Sequence, residues 1–140
     1  MGMKGRYASP ILLPEVMKLI KLTADQLIQS MGVVGAINSM VKEKFKITLS
    51  EYMLLKAISN NPNEETQHYA KLLKVVNSTI TNYADTLEIC RYIKRIYHNK
   101  GKDRRKISLR STNLGEIAII EIKKFINDKL NDAGLYRPEE

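Results

Sequence analysis

A single cysteine, Cys90, is the only thiol in this chain of 140 residues. That excludes an intramolecular disulfide framework and suits a reducing cytosol. Tryptophan is absent and histidine is limited to His68 and His98, on separate segments. No histidine pair has metal-ligand spacing, and there is no CxxC, no Gly-rich phosphate loop and no nucleophile elbow. No catalytic residue, no metal, no cofactor and no enzymatic activity are therefore expected. Glu64, Glu65 and His68 are close enough in sequence to meet a metal, but they read more simply as an acidic helix start beside a surface histidine. Long apolar runs are missing too. The longest uncharged run, Gln26 to Val41, contains Gln, Ser and Asn and falls short of the roughly 20 apolar residues that span a bilayer. The apolar start near Ile11 is broken by Pro10, Pro14 and Glu15, so no secretory leader is expected. Arg6 stands where myristoylation prefers Ser or Thr. The expected location is cytoplasmic, with no membrane partner. Acid is also scarce: 15 Asp and Glu against 23 Lys and Arg give a net charge of +8. A basic balance of this size favours an anionic partner, nucleic acid or an anionic membrane surface, and charge alone does not choose between them.

What is present reads as one globular domain, mainly α with a small β-wing. Residues 1–9 are expected to form a basic, flexible tail. From Ile11 to about Met31, apolar residues recur at helical spacing, and Pro14 fits a first helical turn. Charge then vanishes from Gln26 to Val41, where a surface helix would keep a polar stripe. Gly32, Gly35 and Ala36 in this run would let another backbone approach. The 10–44 region is therefore expected to pack against a second chain. Thr48 and Glu51 form a capping box that starts a helix from Leu49 to Asn60, and the Asn60-Asn61-Pro62-Asn63 cluster ends it. Thr66 is expected to cap a short helix from Gln67 to about Val75. After a break of two or three residues, Asn77 or Ser78 is expected to cap the next, through Ile80, Tyr83, Ala84 and Leu87. Two short helices joined by a tight turn are a helix-turn-helix pattern.

From Tyr92 the periodicity moves towards two. Tyr92 to His98 and Lys106 to Arg110 read as strands around a turn at Asn99 to Asp103. Nine basic residues and one acid lie between Arg91 and Arg110, which focuses the chain's positive field here. Thr112 caps a closing helix of residues 113–133 with a broad apolar arc, and residues 134–140 form a tail. The expected organisation is a winged helix-turn-helix over 45–112 between N- and C-terminal dimerisation helices. The candidate recognition-helix contacts to DNA are Asn77, Ser78, Thr79, Thr81 and Asn82. Short hydroxyls and free N–H groups at a helix N-terminus suit phosphate, and an Asn can pair with adenine. The candidate wing contacts are Lys100, Lys102, Asp103, Arg104 and Arg105, because an Arg at a wing tip can enter a narrow minor groove. Thr66 and Gln67 are candidate phosphate contacts. Cys90 reads as a small hydrophobe, though Arg91 and Lys94 beside it would lower its pKa if it were exposed.

Several of these segments, in order and spacing, resemble the MarR (multiple antibiotic resistance regulator) family of transcription regulators. They are LSEYMLLKAI, TQHYAKLL, STITNYADTLE, YIKR, DRRKISL and the Thr112-x-x-Gly115 step, over roughly residues 45–116. The resemblance implies a homodimer held by its N- and C-terminal helices. It implies Ser78, Thr79, Thr81 and Asn82 facing the major groove, Arg105 as the wing arginine, and a small anionic or phenolic effector bound between the dimer helices and the DNA-binding lobe, weakening DNA binding, with its pocket residues unassigned. Two positions depart from the family pattern. Arg91 stands where Gly is usual after the recognition helix; a left-handed non-Gly residue costs about 1 kcal/mol, so a different helix ending is expected. Ser111 replaces a usual Leu, which weakens one core contact. The function expected is a sequence-specific DNA-binding repressor acting as a homodimer on a pseudo-palindromic site and controlled by a small molecule. The alternatives are a non-specific architectural DNA binder and a protein-interaction winged helix.

Overall fold

The computed structural model describes residues 21–98 and 106–135. Among these residues, five helices and three short strands run in the order α1 (Ala24–Phe45), α2 (Leu49–Asn60), β1 (Glu64–Glu65), α3 (Thr66–Leu73), α4 (Asn77–Ile89), β2 (Ile93–Tyr97), β3 (Ile107–Ser111) and α5 (Asn113–Asp132). The mainly α architecture with a small wing matches the sequence expectation.

Local hydrogen-bond chemistry sets most boundaries. Thr48 accepts from Glu51 N while Glu51 bonds back to Thr48 N, so α2 begins where the capping box predicts. Thr112 accepts from Gly115 N and starts α5. The expected helix from Ile11 to Met31 is not one element. Thr23 and Gln26 form a second capping box that starts α1 at Ala24. The helix then continues through Gly32 and Gly35, to end at Lys46 in a left-handed conformation.

The sheet order is β1-β3-β2, antiparallel throughout. In the hairpin Ile93 faces Ser111 and Tyr97 faces Ile107. The sequence pattern gave no hint of β1, since two adjacent glutamates have low strand propensity. It forms because Asn63, at φ 68°, turns the chain so that its N–H reaches Leu109 O at 2.9 Å. Glu64 and Glu65 then pair with Leu109 and Ser108.

The core lies where α2, α3, α4, the sheet and α5 converge. Leu54, Leu55, Ile58, Tyr69, Ile80, Leu87, Leu109 and Ile122 are fully buried there. Tyr69 is the largest of these. Its hydroxyl donates to Asn61 O and accepts from Glu64 N, which fastens α3 to the loop before β1. The flanking helices bury much less. In α1 only Ile37 and Val41 are buried, while Leu27, Ile28, Met31 and Val34 are exposed. Leu114, Ile117 and Ile120 of α5 are exposed as well. Nothing lies within 4 Å of a Cβ placed on Gly32 or Gly35. Among the described residues, the apolar run of α1 therefore has no covering element.

Candidate nucleic-acid interface

The helix-turn-helix consists of α3, a three-residue turn and α4. Lys74 closes α3 in a left-handed conformation, with its N–H and that of Val75 bonded to carbonyls of the last turn. Val76 occupies the N-cap of α4. The capping expectations for these two helices fail. Thr66 is the first residue inside α3, behind the N-cap Glu65. Asn77 is the first residue inside α4, behind Val76. Neither helix has a side-chain cap, whereas α1, α2 and α5 each start on a threonine cap. A helix start leaves four N–H groups without intrahelical acceptors. The scaffold helices satisfy part of this demand with Thr hydroxyls; neither helix of the helix-turn-helix has such a side chain, and at α4 the corresponding N–H, that of Thr79, donates to Val76 O at 3.0 Å. A missing cap costs of order 1 kcal/mol per helix, and it leaves N–H donors able to meet an anion.

The side chains at the start of α4 are correspondingly free. Asn77, Ser78, Thr81 and Asn82 are exposed and Thr79 is half-buried, while Ile80, Ala84 and Leu87 face the core. Thr81 Oγ1 donates back to Asn77 O at 3.2 Å, the usual resting contact of a helical threonine. Thr66 is half-buried and Gln67 exposed. The wing candidates Lys100, Lys102, Asp103, Arg104 and Arg105 lie outside the described residues.

Charge in the hairpin is less free than the sequence count implies. Arg95 Nη1 donates to Glu88 Oε1 at 2.5 Å and Nη2 to Asp85 Oδ1 at 2.6 Å, with only 12% of the side chain exposed. Burial opposes its charge, but the hydrogen bonds to Asp85 and Glu88 outweigh that and raise its pKa. Arg95 is therefore a tie between β2 and α4. Arg110 Nε donates to Asn63 Oδ1 at 2.8 Å and holds β3 to the loop before β1. Arg91, Lys94 and Lys106 remain exposed. The tie at Arg95 was not foreseen; Asp85 and Glu88, one helical turn apart ahead of a basic strand, were its only sequence signal.

Arg91 shows the other departure from expectation. It adopts φ 64° despite its side chain, so α4 ends in a left-handed residue after all. The surrounding bonds hold it there. Tyr92 N donates to Leu87 O at 2.9 Å, Thr112 Oγ1 donates to Arg91 O at 2.7 Å, and Thr112 N donates to Tyr92 O at 2.9 Å. A Cβ on Gly115 would sit 2.0 Å from Tyr92 O. The Thr112-x-x-Gly115 step is thus a clasp on the end of α4. Ser111, in the position of a usual Leu, hydrogen-bonds Glu116, which also accepts from Ser59 Oγ at 2.9 Å. A polar bridge replaces the missing apolar contact.

Cys90 is half-buried and its thiol donates to Lys46 O at 3.8 Å. Burial, and then Glu51, raise its pKa, the opposite of what Arg91 and Lys94 would do to an exposed thiol. His68 Nδ1 lies 3.7 Å from Glu64. No group of three His, Cys, Asp or Glu among the described residues is placed to hold a metal ion. No helix among them is long and apolar enough to cross a membrane.

The elements define a winged helix-turn-helix flanked by long helices. Solved structures share this arrangement. FabT of Streptococcus pneumoniae, in complex with DNA, is 23% identical over 82% of this chain and 82% of its own, with a TM-score of 0.60. The transcriptional regulator BldR of Sulfolobus solfataricus is 22% identical over 80% and 87%, with a TM-score of 0.58. MarR is 19% identical over 81% and 82%, with a TM-score of 0.60. At such identities the likeness establishes the fold, which is that of MarR-type regulators. No protein-family model and no curated protein sequence matches the chain.

Proposed function

We propose that this protein is a MarR-type transcriptional regulator. It binds a pseudo-palindromic DNA site as a homodimer, acts as a repressor, and is controlled by a small molecule. One observation carries the reading. Among the described helices, the two of the helix-turn-helix alone lack side-chain caps, and Asn77, Ser78, Thr81 and Asn82 are exposed at the start of the second. An uncapped, hydroxyl- and amide-bearing helix start is suited to phosphate and base edges. FabT, of the same fold, has been solved with DNA, and the net charge of +8 favours a polyanion. In this reading α4 enters the major groove. Thr66 and Gln67 meet phosphate, and Arg105 with Lys100, Lys102, Asp103 and Arg104 forms the wing contact. The exposed apolar residues of α1 and α5 form the dimer interface.

The test is selection of binding sites from genomic DNA fragments with the purified protein. The expected outcome is a two-fold symmetric consensus whose half-site centres lie about one helical turn apart. Recovery of no sequence above the input, with binding that still weakens steeply with salt, would replace regulation by non-specific architectural binding.

A further inference from the structure

The last turn of α1 leaves carbonyls that the helix itself cannot satisfy. Lys42 O accepts from Lys46 N at 2.9 Å, and Glu43 O accepts from Lys46 Nζ at 2.9 Å. The acceptor at Phe45 is met from another element. Tyr92, in the joint between α4 and β2, donates its hydroxyl to Phe45 O at 3.0 Å. Cys90 adds its weaker thiol bond to Lys46 O. Burial, and then Cys90, push the Tyr92 hydroxyl pKa upwards, so it keeps the proton that makes the bond. The backbone of Tyr92 is held as well. Its N–H closes α4 on Leu87 O, and its carbonyl accepts from the N–H of Thr112, the N-cap of α5. Tyr92 therefore joins three helices. α1 packs directly on α5, α5 is bonded to the end of α4 through Thr112, and the Tyr92 hydroxyl closes the third side, from α4 to α1. A closed triangle has fixed angles; one with a side removed does not.

We propose that Tyr92 is a positioning residue: its hydroxyl sets the angle between α1 and α4, and with it the spacing of half-sites that the protein accepts. The angle follows from the bonds alone; the spacing rests on the DNA-binding reading. Magnitudes link the two. α1 has 22 residues, and a helix of that size is about 33 Å long. Phe45 ends it, while its exposed apolar residues Ile28 and Met31 lie towards the other end. A tilt of about 6° moves the end of such a helix by about 3.4 Å, the rise of one base pair. A small change of angle thus equals one base pair of spacing.

The test compares the full chain with Tyr92→Phe, which keeps the ring and removes the donor. Ser59→Ala, which breaks the bond to Glu116 and leaves the end of α1 alone, is the control. Backbone residual dipolar couplings are recorded on each free protein. The parent and Ser59→Ala are expected to share one angle between α1 and α4, and Tyr92→Phe to depart from it by about 6° or more. Each protein is then titrated with duplexes carrying the site that the parent selects, with the spacer unchanged or altered by one base pair. The parent should prefer its own spacing by about tenfold, and Tyr92→Phe by about twofold or less. The salt dependence of binding should stay the same, because no phosphate contact is removed. Couplings of Tyr92→Phe that match the parent would overturn the proposal, whether or not a site is selected. A changed angle with the parent's spacing preference would overturn its second half. Equal relaxation in Ser59→Ala would overturn it too, since any lost bond would then suffice. A parent that selects no site overturns the DNA-binding reading and the spacing claim with it, and the couplings still decide the angle.

Discussion

Arg91 holds a left-handed conformation that a side chain disfavours, and it does so because bonds on both sides leave no alternative. Arg91→Gly should therefore stabilise the protein by up to about 1 kcal/mol. Denaturant unfolding measures this, and an unchanged midpoint would show the residue to be unstrained. Tyr69 supplies a second prediction at this scale. Its burial pushes the hydroxyl pKa up to about 12, against about 10 in an unfolded chain. A folded-state pKa raised in this way means that its contribution is intact below about pH 10 and falls away as pH climbs towards 12. Over that window the loss attributable to Tyr69 is of order 2–3 kcal/mol. Tyr69→Phe should be less stable near neutrality and should lose less between pH 10 and 12, as followed by unfolding at each pH. Parallel curves for the two proteins would remove Tyr69 from the alkaline transition.

The elements divide by how local their causes are. The capping box at Thr48 and Glu51, the cap at Thr112 and the alternation on either side of the wing turn involve residues a few positions apart, and all were legible in the sequence. The three-residue turn of the helix-turn-helix was legible for the same reason. What escaped was non-local. β1 exists only because Leu109 lies alongside Glu64, and Arg95 reads as one more basic residue until the fold brings Asp85 and Glu88 against it. The caps assigned to Thr66 and to Asn77 or Ser78 failed because residue type favours capping while position decides it. Those residues lie one place or more inside their helices, behind Glu65 and Val76. Two predictions belong here. Arg95→Met should cost about 1–2 kcal/mol, a modest loss because both carboxylates it leaves behind are partly in water; thermal unfolding reads it. Gly115→Ala drives a methyl into the Tyr92 carbonyl and should cost about 1–3 kcal/mol. A Gly115→Ala protein melting with the parent would mean that the helix–strand approach is looser than 2.0 Å implies.

At the scale of the whole molecule, the exposed apolar residues of α1 and α5 form an extended unmet demand for burial among the described residues. Met31 keeps 68% and Ile120 70% of their surfaces in water, more than a chain acting alone readily tolerates when such residues cluster. The full chain should sediment at twice its 16.0 kDa mass, and a pair of substitutions, Ile28→Lys with Ile120→Lys, should return it to one copy. A single-copy mass for the unsubstituted protein at micromolar concentration would refute the dimer. The joint between the end of α4 and the start of α5 then acquires a mechanical meaning. With Thr112 bonded to both Arg91 and Tyr92 and no room for a methyl at Gly115, the two helices share a stiff hinge plate with almost no play. In the proposed dimer, a pivot of α5 against its counterpart would swing the far tip of α4 through an arc, so the angle at which two such chains meet would dictate the gap between their protruding tips.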